Sequence, residues 1–148
     1  MVTGLARTAA CGFGMATWLL AAAPSYALDP GQPAALVTPL ASTTETAAGQ
    51  PIVLPQKDVR VVVSRFEIAP GAKLPVHKHP YQRYAYVMSG TLKVTDVASG
   101  DSKTYEAGDF VVEMFDRWHW GANVGADPVV LIVVDQVEGD ATQTILQN

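Results

Sequence analysis

A single cysteine, only three histidines and a charged fraction of just 16% are the scarcities of this 148-residue sequence. The cysteine, Cys11, falls in an N-terminal stretch expected to be cut away, which leaves a chain with no thiol ligand, no cysteine nucleophile and no disulfide. Packing alone must then supply stability. The net charge is −4, and loss of Arg7 with that stretch makes it −5. No cluster of Lys and Arg interleaved with aromatic residues occurs, so nucleic acid is excluded as a partner. No glycine-rich phosphate loop leads into a helix, and no serine, histidine and aspartate arrangement stands out. Neither an internal repeat of about 20 to 50 residues nor a coiled-coil heptad is found. What the chain does have is apolar material, 49% of residues, enough for a packed interior and too much for disorder.

Residues 1–7 carry one positive charge, and residues 8–23 are small or apolar almost without interruption, ahead of Pro24-Ser25-Tyr26-Ala27. A basic start, a short apolar middle and small residues at the third and first positions before a cut describe a secretory signal. Cleavage is expected after Ala27, giving a mature chain of 121 residues in a periplasmic or secreted location, with no stable membrane insertion afterwards. An uncleaved anchor containing Trp18, Leu19 and Leu20 is the weaker alternative, because a span needs about 20 apolar residues. A lipoprotein modified at Cys11 would come too early in the run, and Arg7 lacks the partner of a twin-arginine signal. Residues 28–51, rich in Ala, Thr, Pro and Gly, read as an arm in which 35–40 could add an edge strand. One domain is expected over 52–148.

From Asp58 onward short runs of period two are separated by Gly, Pro and Asp at the spacing of an all-β sandwich or barrel. In 60–68, Val62, Ser64, Phe66 and Ile68 share one face, and Val61, Val63, Arg65 and Glu67 the other. Ser89-Gly90 predicts a hairpin between strands at 84–88 and 91–97, and Ser99-Gly100-Asp101 a second. Strands at 103–106, 110–113 and 118–122 follow. The continuous apolar run 129–134 predicts a strand buried on both faces. So many short antiparallel strands favour closure into a barrel, which removes exposed edges.

His77-Lys78-His79 puts two imidazoles at i and i+2 of an extended segment, so both rings point the same way, Lys78 points away, and the pair can reach one ion. Pro75 and Pro80 bracket the pair, as suits a strand near a barrel rim. In Trp118-His119-Trp120 both indoles occupy the face opposite the imidazole. For His119 alone, an aromatic core strand with a hydrogen-bonded histidine is as good an account as a metal ligand.

Two stretches carry a resemblance. The first has Gly71, then His77-Lys78-His79 after five residues, Arg83 after three more and Gly90 after another six. The second has Gly108, Met114-Phe115-Asp116 after five residues, His119 after two and Asn123 after three. They resemble the two motifs of the cupins, over roughly 59–138. The resemblance implies an all-β, double-stranded β-helix (cupin or jelly-roll) barrel, with His77, His79 and His119 on metal-ligand positions. It departs from the pattern where Arg83 stands in place of the usual glutamate ligand, and where Met114 and Asp116 replace the usual Pro and Gly. This is similar to the three-histidine branch, which includes dioxygenases of thiols and other small molecules. The arm, as in proteins it resembles, could lie across a second copy and give a homodimer.

Three neutral imidazoles would leave one divalent transition metal ion, Fe, Mn, Ni, Cu or Zn, with its full charge and open positions. Gln82 and Glu113 are candidates for a fourth ligand or for a group that supports the ligands, and Asp116 reads as a solvated loop carboxylate. Arg83, Tyr84, Phe115 and Trp118 are candidates to line a substrate pocket, and Tyr86 is expected in the core. An inward Arg83 predicts an anionic ligand unless a carboxylate neutralises it. Two functions stay open: a metal-dependent oxygenase of a small aromatic or thiol compound, and a non-catalytic module that binds a small ligand or metal.

Overall fold

A computed structural model describes residues 25–26 and 35–148. The signal expected over 1–27, with its cleavage point, lies outside them apart from Ser25 and Tyr26, as does the start of the arm at 28–34. The chain divides into two units, Met1–Thr38 and Pro39–Asn148. In the first, β1 (Ser25–Tyr26) pairs antiparallel with β2 (Leu36–Val37).

The second unit holds β3 (Val59–Ile68), β4 (His77–Lys78), β5 (Arg83–Ser89), β6 (Thr91–Asp96), β7 (Ser102–Glu106), β8 (Phe110–Val112), β9 (His119–Asn123), β10 (Val129–Glu138) and β11 (Ile145–Leu146). The described residues contain no helix. The strands form two antiparallel sheets, one ordered β3-β10-β5-β8 and the other β11-β4-β9-β6-β7. Residues from both sheets share one core: Ile68, Ala85, Val87, Leu131 and Val133 from the first, Leu92, Val94 and Tyr105 from the second. This is a double-stranded β-helix, each strand turning one face inward.

The alternation expected in β3 is present, its even-numbered residues from Val62 to Ile68 being the better covered. β10 corrects the expectation of a strand buried on both faces. Its odd-numbered residues are buried and its even-numbered ones half-buried, and it runs four residues past Val134. The outer β-branched and aromatic side chains shield one another across the strands. Val134 lies between Val63 and Tyr84, and Ile132 between Arg65 and Tyr86. Tyr86 is therefore half-buried on this outer face and not in the core.

Of the two expected hairpins only the second forms, β6 pairing antiparallel with β7. Ser89-Gly90 instead turns the chain from one sheet into the other, because β5 pairs with β10 and β8, and β6 with β7 and β9. At that turn Gly90 has φ +78°, and a Cβ there would sit 2.7 Å from Pro128 O and 2.8 Å from Val129 Cα. Both the positive φ and the close backbone demand glycine. Gly90→Ala should lower stability by roughly 2 kcal/mol or more, read as a fall in the urea midpoint; an unchanged midpoint would contradict this close approach.

Part of the arm folds onto its own domain. Ala47 N donates to Val112 O at the end of β8, and the Gln50 amide clasps the backbone of Phe115, Nε2 donating to its O (2.7 Å) and Oε1 accepting from its N (3.1 Å).

Candidate metal centre

β4 lies beside β9 with His77 opposite His119, and the chain continues from β4 to His79, which bridges to Phe115. Two strands of one sheet thus bring the three rings together, with centroids 4.5 to 5.0 Å apart. Lys78 faces the other way, pairing with Asp116 at 2.6 Å and lying over the Trp118 ring. All three histidines are buried, and one ligand atom from each lies within 4.8 Å of the others.

Each ring is held by a main-chain oxygen. His77 Nδ1 donates to Pro75 O (2.7 Å), His79 Nδ1 to Gln143 O (3.0 Å) and His119 Nδ1 to Arg117 O (2.8 Å). A carbonyl can only accept, so the proton of each neutral ring sits on Nδ1 and the lone pair on Nε2. Such bonds fix tautomer and ring plane, as carboxylates and carbonyls do behind metal-ligating histidines.

A carboxylate completes the group. Glu113 Oε2 lies 3.4 Å from His79 Nε2 and 3.3 Å from His119 Nε2. Burial alone would raise the Glu113 carboxyl, yet its contacts with His119 and His79 hold it well below its ordinary value. Burial pulls His119 down, but the Glu113 carboxylate outweighs it and the net shift is upward. His119 Nε2 nonetheless has no hydrogen-bond partner and is buried. A buried polar atom without a partner is costly, and here it faces two other nitrogens and a carboxylate oxygen. A cation shared by all four donors would satisfy it, so these residues fit a metal ion.

His77 behaves differently, because burial, reinforced by the other two rings, lowers it to about 4. Between its ordinary 6.5 and about 4 the unfolded chain binds the proton and the folded one does not. In metal-free protein this contribution is complete above pH 6.5 and declines as pH falls toward 4, by on the order of 3 kcal/mol at most. The stability of wild type relative to His77→Gln should therefore fall between pH 7 and pH 4.5, measured by urea unfolding with chelator present. A constant difference would contradict a neutral, buried His77.

Arg83 points inward and is 5% exposed. Its Nε donates to Asp135 Oδ1 (2.7 Å), and its Nη2 to Asp135 Oδ2 (3.1 Å) and Thr144 Oγ1 (3.1 Å). Its Nη1 lies 3.4 Å from His79 Nε2. A carboxylate thus does neutralise this arginine. Asp135, Thr144 and the carbonyl of Gln143 belong to the site and were not foreseen from the sequence. Parity along β10 is the signal for Asp135, which shares a face with Leu131 and Val133.

The remaining candidates lie elsewhere. Gln82 is buried, but its Nε2 donates to Arg83 O and Glu113 O, which makes it a tie between backbones. Tyr84 stacks on Phe110 on the outer face, Trp118 lies beside Lys78, and Phe115 is held through its backbone by Gln50. None of these three lines the cavity that opens on the histidines. That cavity, of about 170 Å³, has His77, His119, Glu113 and Arg83 at its polar end and walls that include Phe66, Leu74, Leu92, Leu131 and Leu146.

Residues 64–135 match a family model described as a cupin domain. Among solved structures, the chain is similar to an oxalate decarboxylase of Lactobacillus farciminis in complex with formate, at 26% identity and a TM-score of 0.50, over 58% of this chain and 26% of that one. It is similar to a polyketide cyclase of Streptomyces resistomycificus at 19% identity and a TM-score of 0.51, over 60% and 63% of the two chains. A protein with a double-stranded β-helix domain from Klebsiella pneumoniae is 27% identical, with a TM-score of 0.49, over 73% and 89%. The chain spans about a quarter of the length of the oxalate decarboxylases it resembles. No curated protein matches it.

Proposed function

Because the chain carries a cupin domain over residues 64–135, we propose that it is an exported protein that holds one divalent transition metal ion through His77, His79 and His119, with Glu113 as a fourth donor, and acts as an oxygenase on a small aromatic or thiol compound. The observation that carries this reading is the convergence of three Nε2 atoms and one carboxylate oxygen at the floor of an apolar cavity. When bound, a divalent ion supplies Lewis acidity and, for iron, manganese or copper, one-electron redox capacity. The chain's own residues do the rest. The Nδ1 tethers keep three lone pairs aimed at one point. Glu113 stays ionised and offers an oxygen that can bind the ion or accept a proton from a ligand. Phe66, Leu74 and Leu131 give the chamber apolar walls.

The apolar walls favour a ligand with an apolar part over oxalate, which has none. Export rests on the pattern of residues 1–27 and would be read from an extracytoplasmic protein whose sequence starts at Leu28. The homodimer, proposed from the arm, is checked by sedimentation.

Metal analysis of mature protein isolated without added metal, followed by oxygen uptake with a panel of phenols and thiols, tests the activity. Bound metal and uptake with at least one compound are expected; absence of metal would overturn the reading. A metal-loaded protein inert toward the whole panel would favour the second reading, a binding module. That reading draws on Arg83, which stands where the cupin motif usually carries a glutamate ligand.

A further inference from the structure

The inference starts from the hydrogen-bonding of Arg83 and rests on the metal centre just proposed. A guanidinium has five N–H donors. Three of them, on Nε and Nη2, are committed to Asp135 and Thr144. Nη1, among the described residues, has only His79 Nε2 at 3.4 Å. That lone pair is free to accept because the proton of His79 sits on Nδ1, bonded to Gln143 O.

A cation that takes the His79 lone pair removes the one acceptor Nη1 has. Both Nη1 protons are then left inside the protein, on a side chain 5% exposed and beside a positive ion. The ligand can resolve this by placing one of its own acceptor atoms between Nη1 and the metal-facing edge of the three rings. Charge decides what kind of atom. Glu113 and Asp135 carry two negative charges and Arg83 one positive, so with a divalent ion the group stands at +1. Because the three rings, Arg83 and Asp135 are buried, uncompensated charge there is costly; a monoanion brings the group to neutrality, whereas a neutral ligand or a dianion leaves a net charge.

Size and lining decide the rest of the molecule. The walls beyond the polar end are Phe66, Leu74, Leu92, Val94, Leu131 and Val133, and the cavity of about 170 Å³ compares with the roughly 150 Å³ apolar cavity that accepts benzene. We infer that the ligand of this site is a compact monocarboxylate, with an apolar body of about one six-membered ring and a carboxylate oxygen received jointly by Arg83 Nη1 and the metal centre.

Benzoate is the probe. Mature protein is loaded with zinc, which is redox-inert, the zinc content is measured, and benzoate, benzyl alcohol, acetate and oxalate are then titrated calorimetrically. Benzoate should bind at least about tenfold more tightly than each of the other three, which lack respectively its charge, its apolar body, and both its body and its single charge. The double variant Arg83→Met with Asp135→Leu removes the pair without leaving a lone buried charge; it should keep its zinc and lose this preference. Full zinc loading with benzoate bound no better than benzyl alcohol or acetate overturns the inference alone, whether or not the double variant folds. Failure of zinc to load overturns the metal centre and the inference with it.

Discussion

Replacing His79 by alanine should cut the metal content of the isolated protein by roughly tenfold or more, and should abolish the stabilisation that metal gives to the fold. His79 is the ring with no exposed surface, and it reaches Glu113, Arg83 and Gln143. Its Nε2 lies 3.4 Å from Glu113 Oε2 and 3.4 Å from Arg83 Nη1, and its Nδ1 reaches Gln143 in the segment before β11. The substitution removes one of three nitrogen donors and, in metal-free protein, the acceptor that faces Arg83 Nη1. Because an ion that binds only the folded state adds to folding free energy, adding a chelator should lower the melting temperature of wild type and leave that of His79→Ala unchanged. Elemental analysis and paired melts check both statements. Equal metal stoichiometry in the two proteins would mean that these nitrogens are not the ligands.

The second large effect is expected at Asp135. Asp135→Ala should destabilise the protein by about 3 to 5 kcal/mol, because it strands a buried guanidinium. The Arg83 and Asp135 side chains are 6% and 3% exposed, and their contact is bidentate. Asp135→Asn, which keeps one acceptor oxygen, should cost less, and the Arg83→Met/Asp135→Leu double variant should recover most of the loss by removing both charges at similar volume. Urea unfolding of the four proteins checks this order. The surface pair of Arg65 and Glu67, each more than half exposed, sets the contrast, since breaking it should cost less than about 1 kcal/mol. A similar small loss at Asp135 would show that water reaches the Arg83 pocket.

How much of this was legible in the sequence depended on range. Features set by neighbours two residues apart were readable: the common direction of His77 and His79, the opposite direction of Lys78, the separation of His119 from its flanking tryptophans, and the turn at Gly90. The same parity rule places Tyr84 outside once Arg83 is inside, so the two could not both line one pocket, and it places Asp135 inside with Leu131 and Val133. The apolar run ending at Val134 obscured that alternation, because Val and Ile serve the half-covered outer face of a sheet as well as its core. Contacts between distant segments gave no local signal. Glu113, six residues before His119, could be named as a candidate, whereas Gln143 and Thr144 reach His79 and Arg83 from more than sixty residues away.

The three ring tethers end on main-chain oxygens, those of Pro75, Arg117 and Gln143. Point substitutions at those positions change side chains and leave the acceptors in place, so the aim of the trio is inherited from the path of the backbone. Selection can then exchange the walls of the chamber one residue at a time, exploring new ligands, while the trio keeps its bearing.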